Sequence, residues 1–411
     1  MNRRRNRPNW FRIILLSLVV VGFAYIDRYL IAPLPPVGVP TATPTRPPEA
    51  YLTEAQSLFD QGKLLQSIQT YQQAVSLKPD DPAIYVALAR VQVYAGQYKE
   101  AQTSAEDALL LSPNNSMAHA VRAWALDFEG SYLEAEAAIK RALELDPNNG
   151  IAHAYYVEIL VDSYITGSGS FDNINKAIEE SKVAQALAPD LLETHRARGY
   201  ILEATANYED AIREYQAAIN INKNIADLHL AVGRNYRALG DYVKAVEEFT
   251  NANALNPADP IPDLLISRTY ATVGEFAKAA QFAETAVRDS PADTSLRGNL
   301  GVMYYHSLDW PSAIEQLTLV VNGGVTPDGI KITPLPLISD TRIAEFYFTY
   351  ALVLAKTNRC GDALQIAQLI QARVPADEIA TTNAAETIKI CQQNLALPGT
   401  RPPPAASTST P

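Results

Sequence analysis

A period of 34 residues constrains this chain more than any other feature. Its markers are Pro79, Pro113, Pro147, Pro189, Lys223 in place of proline, Pro257, Pro291 and, after an insertion, Pro375. Five of the seven intervals are 34 residues; the others are 42 and 84. Proline cannot continue a helix, so each marker ends one. The interval leaves room for two helices and a turn, a unit too small to bury its apolar face alone. Neighbouring units must therefore stack into a superhelical solenoid. Such an architecture offers a concave binding surface more readily than a catalytic pocket.

With each marker taken as position 32, small residues fall at positions 20 and 27. They are Ala101 and Ala108, Ala135 and Ala142, Ala177 and Ala184, Ala211 and Ala218, Ala245 and Ala252, Ala279 and Ala286. Seven residues are two helical turns, so each pair shares one face and lets a neighbouring helix approach closely. Between them, position 24 carries Tyr71, Ile139, Tyr215 or Phe249. The first helix has its own signature in Val232-Gly233-x-x-Tyr236 and Leu300-Gly301-x-x-Tyr304. A mid-unit glycine (Gly62, Gly96, Gly130, Gly240, Gly274) marks the turn between the two helices.

This phased pattern resembles the tetratricopeptide repeat family over roughly residues 50–375, as about nine units. The resemblance implies an all-α, right-handed solenoid of stacked helix-turn-helix repeats. Departures are local. Ser67 replaces the position-20 alanine, and residues 163–172 lengthen the turn of the fourth unit. Residues 322–343 are too long for a repeat connection. Their apolar stretches, Ile330-Lys331-Ile332 and Leu335-Pro336-Leu337-Ile338, suit a small hairpin, a segment along the groove or a plain surface insertion.

In this family positions 2, 5, 9, 12 and 13 of the first helix tend to line the groove. On that geometry the N-terminal half offers Tyr94, Trp124, Phe128 and Tyr200, and the middle offers Arg234, Arg237 and Arg268. Aromatic anchors and arginine forks together suit a protein or peptide partner bearing acidic or C-terminal carboxylate groups. The competing reading leaves these arginines solvated or paired with nearby glutamates. The lysine-asparagine clamp of chaperone-binding members is missing, since position 5 carries Val86, Ala120, Ala154, Arg196 and Leu230.

The N-terminus has a different composition. Arg3, Arg4, Arg5, Arg7 and Arg12 precede and enter an apolar run from Trp10 to Ile26. We read residues 1–12 as a basic cytoplasmic N-terminus and 13–31 as an uncleaved transmembrane signal anchor, with the repeats extracytoplasmic. A cleaved signal peptide ending at Gly22-Phe23-Ala24 is the rival. Residues 32–49 form a proline-rich, extended linker, residues 376–397 a capping helix, and residues 398–411 a disordered tail. Residues 1–46 hold seven arginines and one aspartate, so the remainder carries −17 against −11 overall. An acidic body argues against nucleic-acid partners.

Cys360 and Cys391 are the only cysteines. Cys360 sits at the turn of the last unit, and a final helix starting near Asp377 would climb back to bring Cys391 to its level. The two either form a disulfide that pins this helix or lie buried and separate. His119, His153, His195 and His229 all fall at position 4 of consecutive units. That spacing puts them one helix apart, too far for one metal centre, so packing explains them. The loop Thr166-Gly167-Ser168-Gly169-Ser170 lacks the strand and lysine of a phosphate site.

No catalytic motif, cofactor site or metal site is found. The chain reads as a membrane-anchored scaffold, not an enzyme, that binds protein partners in assembly of an envelope or secretion complex. The alternatives are a cell-wall glycan-binding module or an accessory subunit of a separate enzyme.

Overall fold

The computed structural model describes residues 9–31 and 46–396. The arginine-rich start, most of the proline-rich linker and the expected tail at 398–411 lie outside the described residues. Two compact units are present and are treated separately. In the first, helix α1 (Trp10–Ile26) runs on into a π-helical turn at Asp27–Ile31. It starts three residues before the expected anchor. The stretch Trp10–Tyr29 has a mean hydropathy of 1.9 and is long and apolar enough to cross a membrane.

The second unit is a solenoid of antiparallel helix pairs. The pairs are α2 (Pro48–Asp60) with α3 (Leu64–Leu77), α4 (Pro82–Tyr94) with α5 (Tyr98–Leu111), and α6 (Ser116–Phe128) with α7 (Tyr132–Leu145). Next come α8 (Gly150–Ile165) with α9 (Asn173–Leu187), α10 (Leu192–Ala204) with α11 (Tyr208–Ile221), and α12 (Ala226–Ala238) with α13 (Tyr242–Leu255). The last are α14 (Ile261–Thr272) with α15 (Phe276–Asp289), α16 (Thr294–His306) with α17 (Trp310–Asn322), and α18 (Thr341–Lys356) with α19 (Cys360–Arg373). Helix α20 (Glu378–Ala396) packs on both α18 and α19.

Close packing follows from the small residues. The alanines at positions 20 and 27 are at most 1% exposed throughout. Where position 8 is glycine, the ring or branched chain at position 24 fills the space a side chain would need. A Cβ on Gly233 would meet Phe249 at 2.5 Å, and one on Gly301 would meet Leu317 at 2.6 Å. The five mid-unit glycines have φ between +73° and +80°. In three other units the left-handed turn is made by Ala206, Leu308 and Asn358, which tolerate it at a cost on the order of 1 kcal/mol each.

Position 4 joins consecutive repeats. Tyr85, His119, His153, His229 and Arg297 each reach the backbone carbonyl of residue 79, 113, 147, 223 or 291, six residues back. These carbonyls lie just beyond a helix end and lack intrahelical partners. His153 and His229 also place Nδ1 on Glu180 and Glu248, at position 23 of the same unit. A carbonyl and a carboxylate both accept, so the two contacts together favour the doubly protonated ring. Burial opposes that charge, but the carboxylate and carbonyl outweigh it and raise both pKa values above the usual histidine range.

The insertion forms a hairpin. Strands β1 (Gly324–Val325) and β2 (Lys331–Ile332) pair antiparallel, with Gly324 opposite Ile332. The following segment is tied down by Leu335 N donating to Val320 O, by Tyr347 OH donating to Leu335 O, and by Thr294 Oγ1 donating to Thr333 O. Ile332 and Leu337 are buried. The insertion is thus fastened to α16, α17 and α18.

At the C-terminus Asp377 Oδ1 accepts from Ala380 N at 2.9 Å, capping α20. Cys360 and Cys391 are joined, with their Cα atoms 5.4 Å apart.

Candidate functional site on the concave face

Stacking identical units puts equivalent positions of the first helices side by side, so positions 2, 5, 9, 12 and 13 converge on the concave face. Most of these residues meet one another there. Trp124 (position 9, α6) is fully buried, stacks on Tyr155 with ring centroids 4.3 Å apart, and donates from Nε1 to Glu158 Oε2 at 2.9 Å. The Arg196 guanidinium lies 5.0 Å from the Trp124 ring centre and 5.7 Å from that of Phe128. It also bridges Glu158 and Asp227 at 3.3 and 3.1 Å. Arg90 pairs with Glu193, 103 residues away, and Tyr94 OH donates to the same carboxylate at 3.4 Å.

The superhelix therefore turns tightly enough for its first two repeats to touch the fifth and sixth. Asn224 Nδ2 donates to Asp60 O at 2.7 Å across 164 residues. A Cβ on Gly62 would lie 2.7 Å from Asn224 Cβ. Apolar residues from α2, α3 and α4 share one cluster with Leu192, Tyr215, Ile225 and Leu228.

This closure changes the expected groove. Trp124 is core and presents no surface. Tyr94 is half-buried between Phe59 and Trp124, with centroids at 5.3 and 5.0 Å. Arg234 is held by Glu203 through Nε at 2.9 Å and Nη2 at 3.2 Å. Phe128 remains exposed, stacked on Tyr98. Tyr200 is half-buried and donates to Asp162.

Arg237 and Arg268 differ from Arg234. Neither has a carboxylate partner among the described residues; Arg268 Nε reaches only Asn299 Oδ1 at 3.4 Å. Burial and then the charge of Arg342 and Arg237 push Arg268 down to about 10. Burial, Arg234 and Arg342 lower Arg237 in the same way. Lys356 lies 4.9 Å from the Tyr305 ring centre on the same half of the solenoid. Against these cations stands Glu345, which pairs with Arg342 at 2.7 Å.

Sequence reasoning puts Asp127, Glu158 and Arg196 at groove positions without selecting them as site residues, and misses Asp162 and Glu193. All occupy groove positions of their first helices, which was the available signal. Asp127 is 2% exposed and Glu158 is 3% exposed. Burial raises Glu158 to about 7, and Arg196 only partly opposes this. Burial followed by the charges of Asp162 and Glu158 raises Asp127 well above the carboxylate range. Among the described residues no group of three or more His, Cys, Asp or Glu is arranged to hold a metal ion.

Family models described as tetratricopeptide repeat match residues 58–125 and 118–149. Among curated proteins no sequence matches the chain. A tetratricopeptide repeat protein from Parabacteroides merdae ATCC 43184 is 15% identical, covers 62% of this chain and 98% of its own, and superposes with a TM-score of 0.41. The human IFIT1 dimer with PPP-AAAA is 17% identical over 66% of this chain and 71% of its own, with a TM-score of 0.45. The chain carries tetratricopeptide repeats, a scaffold for protein interaction.

Proposed function

We propose that this chain is a membrane-anchored, outward-facing scaffold that holds an acidic segment of a protein partner on the concave face of its C-terminal half. The observation that carries this reading is that Arg237 and Arg268, with no carboxylate partner among the described residues, are lowered by burial and by the nearby charge of Arg342 within a strongly acidic body. Gathering like charges is unfavourable unless an anion joins them, and guanidinium forks match carboxylates bidentately. A peptide with acidic side chains or a free C-terminal carboxylate supplies that anion. The −17 charge of residues 47–411 repels a nucleic acid along the rest of the surface.

The anchor is α1, and the arginines before it keep the N-terminus cytoplasmic. Retention at the membrane suits assembly of an envelope or secretion complex.

A photo-crosslinking residue at position 268 in intact cells tests the reading. One dominant protein adduct, lost in the Arg237→Ala, Arg342→Ala double variant, is the expected result. No adduct there, with adducts from a convex-face control, overturns it. Phe171 is 92% exposed, so a membrane-impermeant maleimide should label Phe171→Cys in unbroken cells if the repeats face outward.

A further inference from the structure

A cavity of about 530 Å³ opens between α8, α10 and α12, and it carries unmatched charge of both signs. On the acidic side, Glu158 Oε1 has no hydrogen-bond partner although the residue is 97% buried. Asp162 lines the same wall and accepts from Tyr200 OH. Asp127, adjoining Asp162, has no geometric partner for either carboxylate oxygen. On the basic side, Arg237 lines the cavity with no hydrogen bond or ion pair among the described residues. Arg196 is shared between Glu158 and Asp227, and Arg234 pairs with Glu203, so the lining keeps one more carboxyl than guanidinium. Phe128, Tyr200, Tyr208 and Tyr215 supply aromatic walls.

We propose that this cavity binds a small zwitterion whose ammonium and carboxylate groups are several bonds apart, of the class of ω-amino acids, lysine-like amino acids and short peptides. The ammonium meets Asp162 and Glu158 between aromatic faces that favour a cation. The carboxylate meets the open guanidinium fork of Arg237.

A simple cation would satisfy the carboxylates but leave Arg237 without an anion, and a simple anion would do the reverse. The spacing agrees with an extended ligand. Glu158 and Asp162 stand on α8 and Arg237 on α12, so a ligand that meets both carries its two charges at separate ends. The volume falls in the usual range for small-molecule sites. This inference shares Arg237 with the partner reading above but does not rest on it, because neither Arg268 nor Arg342 lines the cavity.

Calorimetry on the full chain in detergent, with three matched probes, tests it. The probes are 6-aminohexanoate, hexylamine and hexanoate. The zwitterion is expected to bind at least about tenfold more tightly than either singly charged analogue. Arg237→Ala should reduce its affinity to that of hexylamine, and Asp162→Asn to that of hexanoate. Lys389→Ala, on an exposed face of α20 away from the cavity, should leave all three unchanged. No heat from 6-aminohexanoate overturns the proposal and leaves the buried carboxyls to be neutralised by protons alone. Equal affinity for 6-aminohexanoate and hexylamine also overturns it.

Discussion

Trp124 and Glu158 occupy the same position of successive repeats, 34 residues apart, and the indole Nε1 donates to Glu158 Oε2 at 2.9 Å. Both residues are buried, so the bond satisfies two polar groups that water cannot reach. Trp124→Phe keeps most of the ring but leaves Glu158 dependent on Arg196. It should cost about 1–3 kcal/mol in urea unfolding. In a cycle with Glu158→Gln the two changes should couple by roughly 1 kcal/mol. Additive effects would mean that the stack on Tyr155, rather than the hydrogen bond, sets the cost.

The buried carboxyls give stability a particular pH dependence. Burial raises the Asp127 and Glu158 pKa values above their unfolded values near 4, Glu158 to about 7. The folded state then holds protons that the unfolded state has released, so stability falls as pH rises from about 4 through 7. The slope is at most about 1.4 kcal/mol per pH unit for each proton. His153 and His229 are raised as well. Their contribution is full below about 6.5 and is lost as pH climbs through the folded values. Asp127→Asn should flatten the lower window, leave the histidine window in place and raise stability at pH 8. Urea midpoints measured from pH 4 to 9 check both windows.

The repeat period made the helix pairs, their turns and the buried alanine face legible, because each depends on residues less than one unit apart. Gly233 illustrates how local that information is. Its missing side chain makes room for Phe249, sixteen residues on, and an added methyl would sit 2.5 Å from the ring. Gly233→Ala should therefore destabilise by about 1–3 kcal/mol. Phe249→Leu in the same chain should recover part of the loss, as read by thermal unfolding. The closed concave face was not legible for the opposite reason. Arg90 meets Glu193 across 103 residues, a distance fixed by the twist between every intervening repeat. Trp124 was consequently expected on an open surface when it lies in the core.

Arg234 and Arg268 share position 9 in adjacent repeats, yet their surroundings predict opposite behaviour. Arg234 holds Glu203 through two nitrogens, so Arg234→Gln leaves a largely buried carboxylate without its fork. A loss of about 1–2 kcal/mol is expected. Arg268 feels mainly other arginines, so Arg268→Gln should leave thermal stability unchanged or raise it slightly. Equal losses for the two would contradict an unneutralised basic group at Arg268.

The link between Cys360 and Cys391 spans 31 residues and joins α19 to α20. It restricts the unfolded chain, which on a loop-entropy argument contributes roughly 3–4 kcal/mol. Both sulfurs are largely buried, Cys391 completely, so a reductant must wait for α20 to open. Peptide mapping without reductant should recover the two cysteines as one crosslinked pair. The Cys391→Ser variant should unfold at lower urea. Its hydrogen exchange should quicken in α20 and the adjoining faces of α18 and α19, while α2 to α12 keep their protection. If exchange in the variant rose evenly along the chain, the solenoid would be unfolding as one cooperative body, and the link would stabilise all of it instead of its end.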